Sequence, residues 1–172
     1  MSKKRYLITS LTLGLIAAGS GALIGLTNLV TKEKIAQNEK DRINAGIYEI
    51  FGKNATISSE NEISGYQYTN YLYHVNESSL AFKTEGSNSY GKVSLLVGFN
   101  YVGEEDDGEY KFAGLYVVVN EQTYASTLVA NYLEPVNEYT RDIDDVSCGA
   151  TYGAKLVRDM VNEAKEAANK QL

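Results

Sequence analysis

The apolar positions fall into three regimes along the chain. Leu7 to Val30 carries no charged residue, a run long enough to cross the hydrocarbon core of a bilayer as a helix. From Ile35 onward the pattern turns periodic. In TKEKIAQNEKDRINAGIYEIFG, Ile35, Glu39, Ile43, Ile47 and Ile50 or Phe51 recur every three to four positions, which predicts an amphipathic helix over about 35–51. Gly46 weakens that helix and Gly52 is a natural stop.

The third regime is a series of short apolar runs rich in tyrosine and β-branched residues, separated by Asn and Gly. GYQYTNYLYHVN (65–76) and SLAFKTEG (79–86) predict strands or a short hairpin, and GKVSLLVGFNYVG (91–103) and KFAGLYVVVN (111–120) predict two further strands. GEEDDGE (103–109) reads as a solvated hairpin tip. It has oxygen ligands for calcium but not the spaced pattern of a helix-flanked calcium loop. EQTYASTLVANYLEPVN predicts a short helix from about Tyr124 to Leu133, ended before Pro135. Beyond it, Leu156, Val157, Met160, Val161 and Ala164 share one face of a C-terminal helix. The order predicts an α+β fold: an N-terminal transmembrane helix followed by a mainly antiparallel sheet flanked by helices. The expected boundaries are a membrane anchor at 1–34 and a folded domain at 35–172.

Charge sharpens that division. The chain carries a net −6, split into +4 over residues 1–34 and −10 over the remainder. An acidic domain excludes nucleic acid as a partner. Lys3, Lys4 and Arg5 precede the apolar run while Lys32 and Lys34 follow it, and the positive-inside rule then puts the N-terminus in the cytoplasm and the domain outside. Cleavage of the run after the small residues at Ala17–Ala22 is the alternative. Ala17, Gly21 and Gly25, and likewise Gly14, Ala18 and Ala22, stand four apart, a spacing that lets another membrane helix approach closely.

The candidate chemistry is concentrated in Ser147-Cys148-Gly149-Ala150-Thr151, a loop of small residues leading into the last helix. One reading is helix capping by its hydroxyl residues. Nucleophilic catalysis by Cys148, the only cysteine, needs a basic partner, and the only histidine is the distant His74. One cysteine and one histidine also cannot make a structural zinc site. A helix N-terminus does suit a phosphate. Gly149 and Ala150 let the backbone come close, Thr151 supplies a hydroxyl there, and Lys155 and Arg158 follow one and two turns later.

Asp145-Val146-Ser147-Cys148-Gly149-Ala150-Thr151 resembles the flavinylation motif of the FMN-binding domain family, Asp-x-x-(Ser/Thr)-Gly-Ala-Thr. That family includes the G subunit of the Rnf electron-transport complex and the C subunit of the sodium-pumping NADH:quinone reductase. TKEKIAQNEKDRINAGIYEIF, YGKVSLLVGFN, FAGLYVVVN and GATYGAKLVRDMVNEA are similar to the first helix, central strands and closing helix of the Rnf G subunit. The resemblance implies a membrane-anchored flavoprotein electron carrier, with FMN linked covalently through its phosphate to Thr151 by a flavin transferase. It implies that Asp145 serves the transferase or orients the loop, that Gly149 and Ala150 allow close approach, and that other membrane subunits are partners. Tyr152 and Tyr139 are candidates to lie against the flavin ring, and Lys155 to offset phosphate charge. Cys148 stands where the family has Ser or Thr. The family's Glu-Thr-Pro-Gly-x-Gly stretch is replaced by Glu121-Gln122-Thr123-Tyr124-Ala125, without its Pro and Gly. The contrasting expectation is a non-redox extracytoplasmic binding module whose loop only caps a helix.

Overall fold

A single helix, α1, runs unbroken from Lys3 to Phe51, so the apolar run and the periodic stretch are one element rather than two. The structure, a computed structural model, describes residues 3–103 and 108–171. Residues Glu104–Asp107, the core of the expected hairpin tip, lie outside the described residues. The chain divides into two units, Met1–Asp41 and Arg42–Leu172.

In the first unit α1 is long and apolar enough to cross a membrane, which fits a single-pass membrane protein. Leu11, Leu13, Leu15, Ile16, Leu23, Ile24 and Leu26 are all exposed along it, a surface that is stable against hydrocarbon rather than water. A Cβ built on Gly14, Gly21 or Gly25 meets nothing within 4 Å, so nothing described in this chain crowds those glycines.

The second unit is built on a five-stranded antiparallel sheet in simple meander order. Its strands are β1 (Ile57–Glu62), β2 (Thr69–Val75), β3 (Ser79–Asn88), β4 (Gly91–Val102) and β5 (Glu109–Asn120). β2 to β5 match the four predicted apolar runs. β1 went unpredicted because its sequence, ISSENE, is polar and mostly exposed; it is an edge strand held by pairing with β2. Helices cover both faces of the sheet. On one face Ile43 and Ile47 of α1 are buried with Tyr73, Val75, Ala81, Leu96 and Val118. The buried stripe of α1 therefore begins at Ile43, and Ile35 is exposed. Gly46 belongs to this contact, since a Cβ there would come within 2.7 Å of the Tyr116 ring. It is a packing device, not the weak point its helix propensity implies.

The other face carries Leu80, Phe82, Leu95, Val97, Phe99 and Leu115 beneath α4 (Thr151–Asn169). The predicted face of α4 is the buried one: Leu156, Val157, Met160, Val161 and Ala164. Before α4 the chain makes α2 (Ala125–Leu128), a π-helical segment (Val129–Leu133) and α3 (Glu134–Asn137). This corrects the expected helix end before Pro135. The wide π turn closes with Glu134 N–H donating to Val129 O, and Pro135 sits in the first turn of α3, where its missing N–H costs no helical bond.

Glu163 clamps α4 to the sheet. Its carboxylate accepts N–H bonds from Gln67 and Tyr68 (2.7 Å each) and Thr69 (2.8 Å), and the Thr69 hydroxyl (2.8 Å). Burial pushes the carboxyl pKa up, but these bonds outweigh it and hold it below the usual value. A group depressed in this way stabilises the fold fully above its unfolded pKa, about 4.3. The contribution drains away as pH falls through the folded value. We expect Glu163→Gln to cost about 1–3 kcal/mol at pH 7. The gap between variant and wild type should close on acidification toward pH 3, as measured by urea unfolding at each pH.

Candidate functional site

The loop between α3 and α4 is fastened at each end and in the middle. The Tyr132 hydroxyl donates to Ile143 O, and burial pushes its pKa up. Arg141 donates to Asp145 O and Ser147 O, both at 3.2 Å. The Asp145 carboxylate accepts Ser147 N–H at 3.3 Å and lies 3.7 Å from the Arg141 guanidinium. Asn131 donates to Cys148 O at 3.1 Å. Cys148 and Ala150 are each 7% exposed and join the core beneath α4. Between them Gly149 is exposed at φ +83, a left-handed conformation that glycine adopts without a Cβ penalty. This turn brings the chain up from the core to the start of α4.

α4 begins at Thr151 with Ala150 in the N-cap position and no side-chain cap. The expectation of capping by the hydroxyl residues is corrected here: Ser147 falls three positions too early and Thr151 is already helical. The first turn of any α-helix has amide groups without intrahelical partners, and among the described residues no side chain caps them. The first internal bond runs from Ala154 N–H to Ala150 O at 3.0 Å.

A cleft of about 250 Å³ opens at this helix end, lined by Gly149 to Gly153 together with Tyr90, Gln122, Tyr124 and Leu128. Thr151 is half-buried in its wall. Tyr90 and Tyr152 stack with ring centroids 5.3 Å apart and planes at 21°, and Tyr124 lies 6.3 Å from Tyr90. All three are exposed, whereas aromatic rings of this size ordinarily contribute to cores. Gln122 is buried and donates to Asn88 Oδ1 at 3.1 Å and to Gly91 O. Asn88 in turn donates to Tyr152 O at 3.1 Å. This polar chain ties the β3–β4 turn to the start of α4. Gly153 makes the fit close, because a Cβ there would meet Leu128 at 3.0 Å and Gln122 Oε1 at 3.2 Å.

Of the residues singled out in the sequence, Thr151, Gly149, Ala150 and Tyr152 line this cleft. Lys155 lies beside it, its ammonium 6.0 Å from the centre of the Tyr152 ring. Cys148 is beneath the loop, and Asp145 engages Ser147 and Arg141 rather than the cleft. Arg158 is paired with Asp159 at 2.7 Å. Tyr139 is elsewhere: its hydroxyl donates to Phe112 O and Ala113 O, and its ring packs edge-on against Phe112. Tyr90, Gln122 and Tyr124 also line the cleft and were not singled out as candidates in the sequence. Gln122 and Tyr124 belong to the stretch Glu121-Gln122-Thr123-Tyr124-Ala125 noted in the sequence, and both line the cleft beside Gly149, Ala150 and Thr151. Among the described residues no cluster of His, Cys, Asp and Glu suits a metal ion.

Residues 1–50 match the family model of the RnfG N-terminal region. No curated protein and no solved structure matches the chain. The matched stretch is contained in residues 1–50, so the likeness to RnfG there is separate from the likeness carried by Asp145–Thr151.

Proposed function

We propose that this chain is a membrane-anchored electron carrier of an Rnf-type complex, with FMN joined through its phosphate to the Thr151 hydroxyl. The observation that carries the reading is an uncapped helix end with a half-buried threonine, set in a cleft rimmed by three exposed tyrosines. The RnfG match over residues 1–50 supports it from the other end of the chain.

The residues present fit such a group. The free amides at the start of α4 and its positive dipole end favour phosphate oxygens, and Gly149 presents no side chain to obstruct them. Lys155 adds positive charge nearby. Tyr90, Tyr124 and Tyr152 offer ring faces for a flat apolar heterocycle, with the carboxamide of Gln122 in the adjoining wall. A bound flavin would supply one- and two-electron redox chemistry, while the protein fixes its position and surroundings. No acid–base pair is needed beside it for electron transfer. The basic N-terminus favours a cytoplasmic start and an extracytoplasmic domain. A flavin transferase would then be the maturation partner, and other membrane subunits the electron partners.

The test is the intact mass of denatured full-length protein co-produced with a flavin transferase, followed by peptide mapping of residues 147–155. An added mass of one FMN less one water, mapped to Thr151, is the expected result. An unmodified Thr151, with the transferase active on a control protein, overturns the covalent assignment and favours a binding module without flavin.

A further inference from the structure

A second cleft, of about 440 Å³, lies between the loop after α3 and the far end of the sheet. Its apolar floor comprises Phe99, Phe112, Val136, Ile143 and Val161, while Arg141 and Lys165 supply positive charge in its wall. Among the described residues Asp142 is the one acidic residue in that lining, and its carboxylate accepts the Asp144 N–H at 2.8 Å. Arg141 also lies 3.7 Å from the Asp145 carboxylate, so Lys165 is the lining cation without a carboxylate partner among the described residues, in a domain that carries −10. Long-range repulsion by such a domain disfavours anions, so a site that takes one must supply cations at contact range.

The walls are pinned in place. Tyr139, at the mouth, holds φ 55, a conformation costly for a non-glycine residue. Its hydroxyl bonds to Phe112 O at 3.3 Å and Ala113 O at 3.2 Å keep it there. Arg141 is fixed by its bonds to Asp145 O and Ser147 O. Lys165 has no carboxylate within 4.0 Å among the described residues. Apolar clefts with a few fixed polar groups are the usual form of small-molecule sites.

We propose that this second cleft binds a ring-bearing organic monocarboxylate, its apolar body against Phe99, Phe112 and Val136 and its carboxylate paired with Lys165. The site does not depend on flavin at Thr151. Through Arg141 its occupant touches the same residue that holds the Asp145–Ser147 backbone.

The experiment is isothermal titration of 2-naphthoate into the full-length chain in lipid nanodiscs, with empty nanodiscs as the blank. Saturable one-to-one binding is expected, at least tenfold weaker for the neutral 2-naphthylmethanol and for Lys165→Met, and absent in Asn162→Trp, which fills the cleft from α4. Tyr90→Ala, at the other cleft, and Thr151→Ala should bind as tightly as wild type, so the outcome is separate from the flavin assignment. The proposal is overturned by absence of saturable binding, by equal affinity for acid and alcohol, by affinity unchanged in both Lys165→Met and Asn162→Trp, or by loss of binding in Tyr90→Ala.

Discussion

Thr151→Ala should produce a protein that folds as wild type does and carries no covalent FMN. The expected readout is complete disappearance of the flavin mass and of the yellow colour that survives denaturation. Unfolding stability should change by no more than about 0.5 kcal/mol. The structure separates these two effects. Thr151 is the first residue of α4, and its hydroxyl caps nothing. Alanine is the better helix former there by several tenths of a kcal/mol, and the side chain lost is only half-buried. Thr151→Ser keeps the hydroxyl at the same backbone position and should retain the flavin. Flavin retained in Thr151→Ala would mean that the ester is not made at this oxygen.

The sheet and α4 were legible in the sequence because burial imposes period there. Leu95 and Leu96 are both fully buried since β4 is covered on both faces, and its run SLLVGF shows that directly. β1 was not legible: an edge strand with a solvated face needs no apolar pattern. Gly46 misled because helix propensity is a local quantity, whereas the ring of Tyr116 packed against it comes from 70 residues further along the chain. The site divides in the same way. Thr151 and its loop stood out as a local motif. Tyr90, Gln122 and Tyr124 did not, because the sheet brings the β3–β4 turn and the segment after β5 together, and no spacing in the sequence records that meeting. Tyr139 and Tyr152 looked equivalent as tyrosines near the motif. The difference between them is that Tyr139 spends its hydroxyl on the backbone of β5.

Phe82→Ala should be the most damaging of the single substitutions considered, at about 3–5 kcal/mol. Phe82 is fully buried at the middle of β3, with Phe99 edge-on at 6.0 Å. It stands opposite Val97 in the β3–β4 ladder, in the cluster roofed by α4. A cavity there removes transfer energy and packing together, because the two neighbouring strands hold their spacing through hydrogen bonds and cannot collapse into it. Such a loss is a large part of the stability of an ordinary domain, about 5–15 kcal/mol, so the variant should unfold at a much lower urea midpoint. The sheet also predicts what this residue does not touch. Ile47 is buried in the separate cluster on the opposite face, and Ile47→Val should cost about 0.5–1.5 kcal/mol. With a sheet between them and no shared partner, the two losses should add to within about 0.5 kcal/mol in the double variant. A larger coupling, measured by urea unfolding of all four proteins followed by circular dichroism, would mean that the two faces form one core. The contact of α1 with the sheet would then be felt beneath α4, where Thr151 is held.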